Sequence, residues 1–329
     1  MHMDSEELIR EIVSQSGDDF AGCLSEHRLL PRTTLVDSSG VGKFKVRLYP
    51  NEETARKQAQ IIERVRNDVP MPELVGRDGP FLVIQYLPLD GISLGDLPHA
   101  ATGIGSILRD LSKYKPMGDE VIDLDGEFRS WLQTLLLMGY LSNGAIESIW
   151  QRYLAEKPDH PIICLDHWDA MFHNFGLQAR EVYLLDEKHL RYSYACVGLV
   201  KPSLLMDKDH FLALLKSYGD SDTLQFYQAH RPFLLLYYLV SALHFYAQQQ
   251  QDGFSRIPAN SRLRYYRGNL IRIVWRSPFR RVLEALAFTL RYPGDAIYAF
   301  SRRMTGPMSP QKLIRRFLLD VQPWDENAL

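Results

Sequence analysis

The sequence predicts an α+β chain in which a small antiparallel sheet with one helix precedes a larger, mostly helical part. Three observations carry this. Up to residue 87 the apolar pattern reads strand, strand, strand, helix, strand. Beyond residue 103 the period is that of helices. Between two helical stretches, residues 163–187 place a polar turn between two apolar, strand-like runs.

With 329 residues, 46% hydrophobic and 24% charged, the chain has ordinary globular composition and a length that suits two domains or lobes. Its three cysteines, Cys23, Cys164 and Cys196, are widely spaced, odd in number and in no C-x-x-C pattern. That argues against a disulfide framework and for reduced thiols in a cytoplasmic protein. The first ten residues are acidic and lack an apolar core segment, so no signal peptide is expected. The most apolar run, 233–247, falls short of the roughly 20 residues a membrane span needs and predicts a buried helix. The net charge of −2 hides an asymmetry: residues 254–319 carry 14 lysines and arginines against two acids, Glu284 and Asp295, a local net of +12. An anionic partner would match that surplus: lipid headgroups, a phosphorylated glycan or, ranked last, nucleic acid. Pairing with the acidic remainder of the chain is the structural alternative.

In order along the chain, 5–14 reads as a short amphipathic helix with Leu8, Ile9, Ile12 and Val13 on one face. Strand-like pieces follow at 23–29, 33–37 and 43–49, the last two joined by a Ser-Ser-Gly-Val-Gly turn. In 43–49, Lys43, Lys45 and Arg47 alternate with Phe44, Val46 and Leu48. A helix is predicted over 51–67 with Ala55, Ala59, Ile62 and Val65 as its apolar face, stopped by Pro70 and Pro72, and a strand over 81–87. Phe128, Trp131, Leu132, Leu135 and Leu136 follow helical spacing, as does 146–154. Helices are expected at 209–217, 221–230, 233–249, 280–290, 295–303 and 310–319.

Chemistry concentrates in 163–187. His167, Asp169 and Asn174 fit H-x-D-x-x-x-x-N, and twelve positions later an apolar ladder ends in Asp186. Such a set suits phosphoryl transfer: one carboxylate orients an attacking hydroxyl, while an amide and a second carboxylate hold Mg²⁺ against the phosphates of ATP. A zinc site built from His167, Asp169 and His173 is the metal alternative, and an ordinary polar turn the bland one.

Together with Val46-Arg47-Leu48-Tyr49-Pro50, and with the run from Val69 through Gly76 into Phe81–Leu87 (81–87), this stretch resembles the aminoglycoside-phosphotransferase and choline-kinase branch of the protein-kinase-like fold. Within it the similarity is greatest to bacterial lipopolysaccharide kinases. The resemblance covers about residues 25–190. It implies a two-lobe architecture, with an N-lobe at 1–87 and a C-lobe at 88–329. It also implies Asp169 as the catalytic carboxylate, Asn174 and Asp186 as Mg²⁺ ligands, and a structural role for His167. Arg47 would stand where the family's strand lysine meets the nucleotide phosphates, and the backbone of Gln85, Tyr86 and Leu87 would receive the adenine edge of ATP.

Three positions depart from the family pattern. Arg47 replaces lysine, whose geometry a planar guanidinium does not reproduce. Gln58 stands where the helix glutamate is expected, and the turn Leu29-Leu30-Pro31-Arg32 has no glycine for close backbone approach to phosphate. The expected activity is therefore ATP- and Mg²⁺-dependent phosphorylation of a hydroxyl on a sugar or glycolipid, such as the lipopolysaccharide core. The protein would be cytoplasmic, with peripheral contact at the inner membrane face through 254–319. The alternatives are a kinase-like pseudo-enzyme that binds nucleotide as a scaffold, and a small-molecule kinase for an antibiotic or aminoalcohol. A basic pocket beside Asp169 would favour the glycolipid, an acidic one the small cationic acceptor.

Overall fold

The computed structural model describes residues 5–20, 32–38, 42–117, 122–219, 221–251, 259–275, 277, 279–283 and 286. The chain divides into two compact units, one comprising Met1–Glu120, Ile162–Pro202 and Asp207–Leu224, the other Val121–Pro161, Ser203–Met206 and Gln225–Leu329.

The first unit opens with α1 (Ser5–Phe20), β1 (Arg32–Ser38), β2 (Gly42–Leu48), α2 (Glu52–Val65), β3 (Leu74–Asp78) and β4 (Phe81–Gln85). The strands form one antiparallel sheet in the order β1-β2-β4-β3. Because side chains alternate across a strand, each face has its own partner. Phe44, Val46 and Leu48 of β2, with Val36 and Val83, bury against Ile9 and Ile12 of α1. Leu82 and Ile84 of β4, with Leu74, pack on the other face against Ala55, Ala59 and Ile62 of α2. Helix α2 starts at Asn51, whose side chain accepts from the Thr54 amide at 2.8 Å, and its expected apolar face is buried through Val65.

The alternation expected in β2 is present, and its basic face becomes covered along the strand: Lys43 is exposed, Lys45 half-buried and Arg47 2% exposed. Strand β3 (Leu74–Asp78) joins, as a fourth, the three strands of this sheet that the sequence predicts. It is five residues long, contains Gly76, Arg77 and Asp78, and is marked only by the Asp78-Gly79 turn, where Gly79 has φ +51°. The strand expected at 23–29 and the glycine-free turn at 29–31 lie outside the described residues.

The rest of the first unit pairs α3 (Leu97–Ser112) with α7 (Lys208–Tyr218). Gly105 permits their close approach, since a Cβ there would stand 2.2 Å from the Leu214 carbonyl oxygen. Two small antiparallel pairs carry the polar turn: β5 (Ile163–His167) with β8 (Leu190–Tyr194), and β6 (Phe175–Gln178) with β7 (Glu181–Leu184). Helix α6 (Val200–Leu205) begins in this unit.

The second unit contains α4 (Leu124–Leu137), α5 (Asn143–Glu156), most of α8 (Ser221–Gln251) and α9 (Ala259–Val274). Phe128, Trp131, Leu132 and Leu135 form the buried face their spacing predicts, while Leu136, expected with them, is half-buried. Phe128 stacks on Tyr153 with ring centroids 4.2 Å apart. The two helical runs expected at 221–230 and 233–249 are one helix with Pro232 inside it. Of the helix expected at 280–290, residues 280–283 and 286 are described and helical. Those at 295–303 and 310–319 lie outside the described residues. Among the described residues no helix is long and apolar enough to cross a membrane.

Candidate active site

Every residue of the candidate site belongs to the first unit. Strand β5 delivers the polar turn and is anchored at its end by Asp166. This buried carboxylate accepts from the His167 amide at 2.8 Å and from the Gly198 amide at 2.7 Å. Burial pushes its pKa up to about 6 against the pull of those two N–H groups. His167 is fully buried, with Nε2 2.9 Å from the carbonyl oxygen of Asp186. It joins the turn to the segment after β7, the structural role its position implies.

The turn closes on itself through Asn174, whose Nδ2 donates to the Asp169 carbonyl at 2.6 Å. The Leu185 amide donates to the Asn174 carbonyl at 2.9 Å, bringing Asp186 alongside. Asp169, Asn174 and Asp186, far apart in the motif, thus share one locus. The imidazole of His189 lies between the two carboxylates, 3.9 Å from Asp169 Oδ2 and 3.5 Å from Asp186 Oδ2. Burial lowers its pKa to about 3, so the ring stays neutral.

Asp169 pairs with Lys201, at the start of α6. Burial alone would raise the pKa of this carboxylate, yet the Lys201 ammonium holds it well below the usual range. His173 Nε2 is 3.9 Å from Asp169 Oδ2, on a side chain 66% exposed. His167 faces a backbone carbonyl instead, and among the described residues no group of three His, Cys, Asp or Glu side chains is placed to hold a metal ion. The histidine-based zinc site receives no support.

Arg47 reaches this locus from β2. Its Nη2 is 2.5 Å from Asp186 Oδ1 and its Nε 2.5 Å from Glu187 Oε1. Glu187 is itself buried, and its Oε2 takes Lys45 Nζ at 2.8 Å. Lys45 Nζ also donates to the Leu185 carbonyl at 2.6 Å. Gln58 of α2 donates through Nε2 to the Glu187 carbonyl at 2.8 Å. The counter-charge expected from the helix is therefore supplied by Glu187, next to Asp186. Lys188 Nζ lies 2.9 Å from Asp186 Oδ2. Against the effect of burial, Arg47 and Lys188 depress the Asp186 pKa far below the usual range.

Lys45, Glu187, His189 and Lys201 were not singled out from the sequence. Lys45 is signalled in retrospect by sharing a β2 face with Arg47; the other three have no local motif. At the end of β4, the Gln85 amide donates to the Glu73 carbonyl at 2.9 Å and the Tyr86 amide to the Lys43 carbonyl at 3.0 Å. Two of the three backbone donors expected to meet adenine are thus committed to the sheet.

The oxygens of Asn174 and Asp186 are hard donors of the kind Mg²⁺ prefers. Both Asp186 oxygens face a cationic side chain, Oδ1 that of Arg47 and Oδ2 that of Lys188.

No family model and no curated protein sequence matches the chain. Solved structures do. Choline kinase LicA from Streptococcus pneumoniae matches with TM-score 0.55 and 11% identity over 81% of this chain and 99% of that one. The chain has the protein-kinase-like fold. The gentamicin–APH(2″)-IIa complex matches with TM-score 0.53 and 14% identity, covering 80% of this chain and 96% of the other. A choline/ethanolamine kinase family protein from Mesorhizobium loti matches with TM-score 0.52 and 16% identity, covering 85% and 99%. The small sheet with its helix and the helical remainder are those expected from the sequence.

Proposed function

We propose that the chain is an ATP-dependent phosphotransferase acting on a hydroxyl group of a sugar or glycolipid. The observation that carries this is the convergence of Asp169, Asn174 and Asp186, with Arg47 and Lys201 as their ionic partners, on a fold shared with kinases. Asp169 orients the acceptor hydroxyl and takes its proton as the oxygen attacks the γ-phosphorus and the bond to the β-phosphate oxygen breaks. Asn174 and Asp186 would hold Mg²⁺, which when bound offsets charge on the phosphates. Of the three residues at the end of β4, Leu87 remains the backbone donor for the adenine edge.

The surroundings of Asp169 bear on the acceptor. Lys201, His173 and His189 reach it, and the second carboxylate of the locus, Asp186, is already paired with Arg47 and Lys188. A cationic aminoalcohol or antibiotic would need carboxylates there, whereas a neutral or phosphorylated glycan tolerates an ammonium. The basic 254–319 stretch also favours an acceptor with anionic groups, including a lipopolysaccharide core presented at the inner membrane face. Within its described part, however, Arg267 donates to the Tyr140 carbonyl at 2.7 Å and Arg262 lies over the Tyr246 ring. The small-molecule alternative keeps the support of fold neighbours named choline kinase and gentamicin complex. The scaffold alternative loses part of its motive, because Glu187 supplies the charge that Gln58 lacks.

The test is transfer from labelled ATP to a panel of soluble sugars, lipid-linked glycans, choline, ethanolamine and aminoglycosides. Labelling of a glycan by the wild type and its loss in Asp169→Asn, with nucleotide binding retained, is the expected result. Labelling confined to amines would replace the acceptor class. Undiminished transfer by Asp169→Asn would remove its assigned role.

A further inference from the structure

Among the described residues, exposed large apolar side chains occur singly along the chain, as Leu35 and Met117 do, except in one place. Phe279, Val282, Leu283 and Leu286 are all between 49% and 69% exposed. Residues 279–283 and 286 are helical, so these four stand at i, i+3, i+4 and i+7 and make one stripe about 100° wide. Phe128, Trp131, Leu132 and Leu135 of α4 have the same spacing, and there the stripe is buried. An isolated exposed leucine needs no partner, but an apolar stripe of this kind marks a surface that meets one.

What covers the stripe has to suit its margins. Successive helical residues turn by about 100°, which puts Arg280 at the edge of the stripe and Arg281 on the far side. The turn opens at Ser277, whose carbonyl accepts from the Arg281 amide at 3.3 Å. Arg281 Nε donates to the Trp275 carbonyl at 2.5 Å, tying the far side to the end of α9. Arg280 is exposed and lies over the Trp275 ring, 4.7 Å from its centroid. The stripe therefore carries a cation and an indole at its margin. The positive surplus of 254–319 continues beyond it, since residues 287–319 hold six lysines and arginines against one acid, Asp295. A second copy of the chain would bring that surplus against itself, and a nucleic acid offers charge but no apolar phase. An anionic bilayer supplies both, taking apolar side chains into the acyl boundary and cations among the headgroups.

We propose that the helix at 279–286 is an interfacial anchor for an anionic phospholipid bilayer, with Phe279, Val282, Leu283 and Leu286 below the headgroups and Arg280 among them. The stripe is only about two turns long, so the contact is reversible and depends on apolar burial and charge together. This goes beyond the phosphotransferase reading and does not depend on it.

The experiment is co-sedimentation of the full chain with vesicles of phosphatidylcholine alone and of phosphatidylcholine mixed equally with phosphatidylglycerol. The wild type should bind the anionic vesicles, and the neutral ones about tenfold or more weakly. Phe279→Ser/Leu283→Ser keeps every charge and alters two exposed side chains, so its melting temperature should match the wild type. Its affinity for the anionic vesicles should fall about tenfold or more, as for two apolar side chains no longer withdrawn from water. Arg280→Gln should lose about fivefold, the share of one charge near such a surface. Unchanged affinity in Phe279→Ser/Leu283→Ser would make the attraction purely electrostatic and overturn the proposal. Equal binding to both kinds of vesicle, or to neither, would also overturn it. So would a wild-type dimer in sedimentation velocity without lipid that the double variant converts to monomer, since a second copy would then close the stripe. No nucleotide enters the measurement, so none of these results bears on the phosphotransferase assignment.

Discussion

Lys201 and Asp169 form an ion pair across 32 residues of chain, linking the start of α6 to the carboxylate of the H-x-D motif. The partner matters because Asp169 stays charged in a buried setting where its pKa would otherwise rise. In the proposed reaction it also places an ammonium beside the carboxylate that orients the acceptor hydroxyl. In Lys201→Met the Asp169 pKa should move upward, so the acid limb of the pH–rate profile moves to higher pH by about one unit or more. Transfer at neutral pH should fall by about tenfold or more, as for removal of one charged group at a reacting centre. A lower rate with an unmoved acid limb would show that Lys201 acts on the phosphoryl group alone.

The pair depends on a backbone clasp three residues earlier. Gly198 donates its N–H to Asp166, and a Cβ at that position would stand 2.1 Å from Asp166 Oδ1 and 2.9 Å from the His167 carbonyl oxygen. Gly198→Ala must therefore push the 196–200 turn away from β5, moving Lys201 with it. Overpacking of this kind typically costs about 1–3 kcal/mol. Chemical denaturation should register that loss, and phosphate transfer should drop more than stability predicts. A variant of wild-type activity would mean that α6 keeps its place without the clasp.

Asp166 also imposes a pH dependence on folding. Its pKa is near 6 in the folded chain and near the ordinary carboxylate value, about 4, when unfolded. The folded state thus binds the proton more tightly. The stabilisation linked to it is complete below the unfolded value and disappears as pH rises through about 6. Two units correspond to about 3 kcal/mol. Asp166→Asn does not titrate, so the stability difference between wild type and variant should shift against the wild type from pH 4 to pH 7. A difference independent of pH would place the Asp166 pKa close to its unfolded value.

The elements that could be seen in the sequence are those whose own side chains make the pattern. Helix α2 shows its apolar stripe, β2 its alternation, and the turn after β5 its spaced Asp169 and Asn174. Strand β3 could not, because Gly76, Arg77 and Asp78 interrupt any apolar period, and it exists by pairing with β4. The same holds in the site. Asp169, Asn174 and Asp186 have a spacing; Lys201 and Glu187 do not. Lys201 sits among apolar residues of α6 and acquires a partner only when the Asp166 clasp brings that helix start to the turn. Gln58 in place of a glutamate looked like a missing ion pair, because the replacement carboxylate lies 129 residues away on a different element.

That relocation is itself testable. Glu187 is the shared counter-charge of Arg47 and Lys45, and Gln58 touches its backbone from α2 at 2.8 Å. Glu187→Gln keeps the shape but leaves two largely buried cations with Asp186 as their remaining carboxylate. Breaking a buried pair from one side typically costs about 3–5 kcal/mol. Adding Gln58→Glu returns a carboxylate from the neighbouring helix, at the position where the family pattern expects one. The double variant should therefore recover a substantial part of the loss, a coupling visible as non-additivity in a denaturation cycle. Strict additivity would mean that the helix position cannot reach the cations, so that Glu187 is the one residue of the pair able to hold them. Recovery would show that the counter-charge can be carried by either element, since what β2 requires is a buried carboxylate beside Arg47 and Lys45.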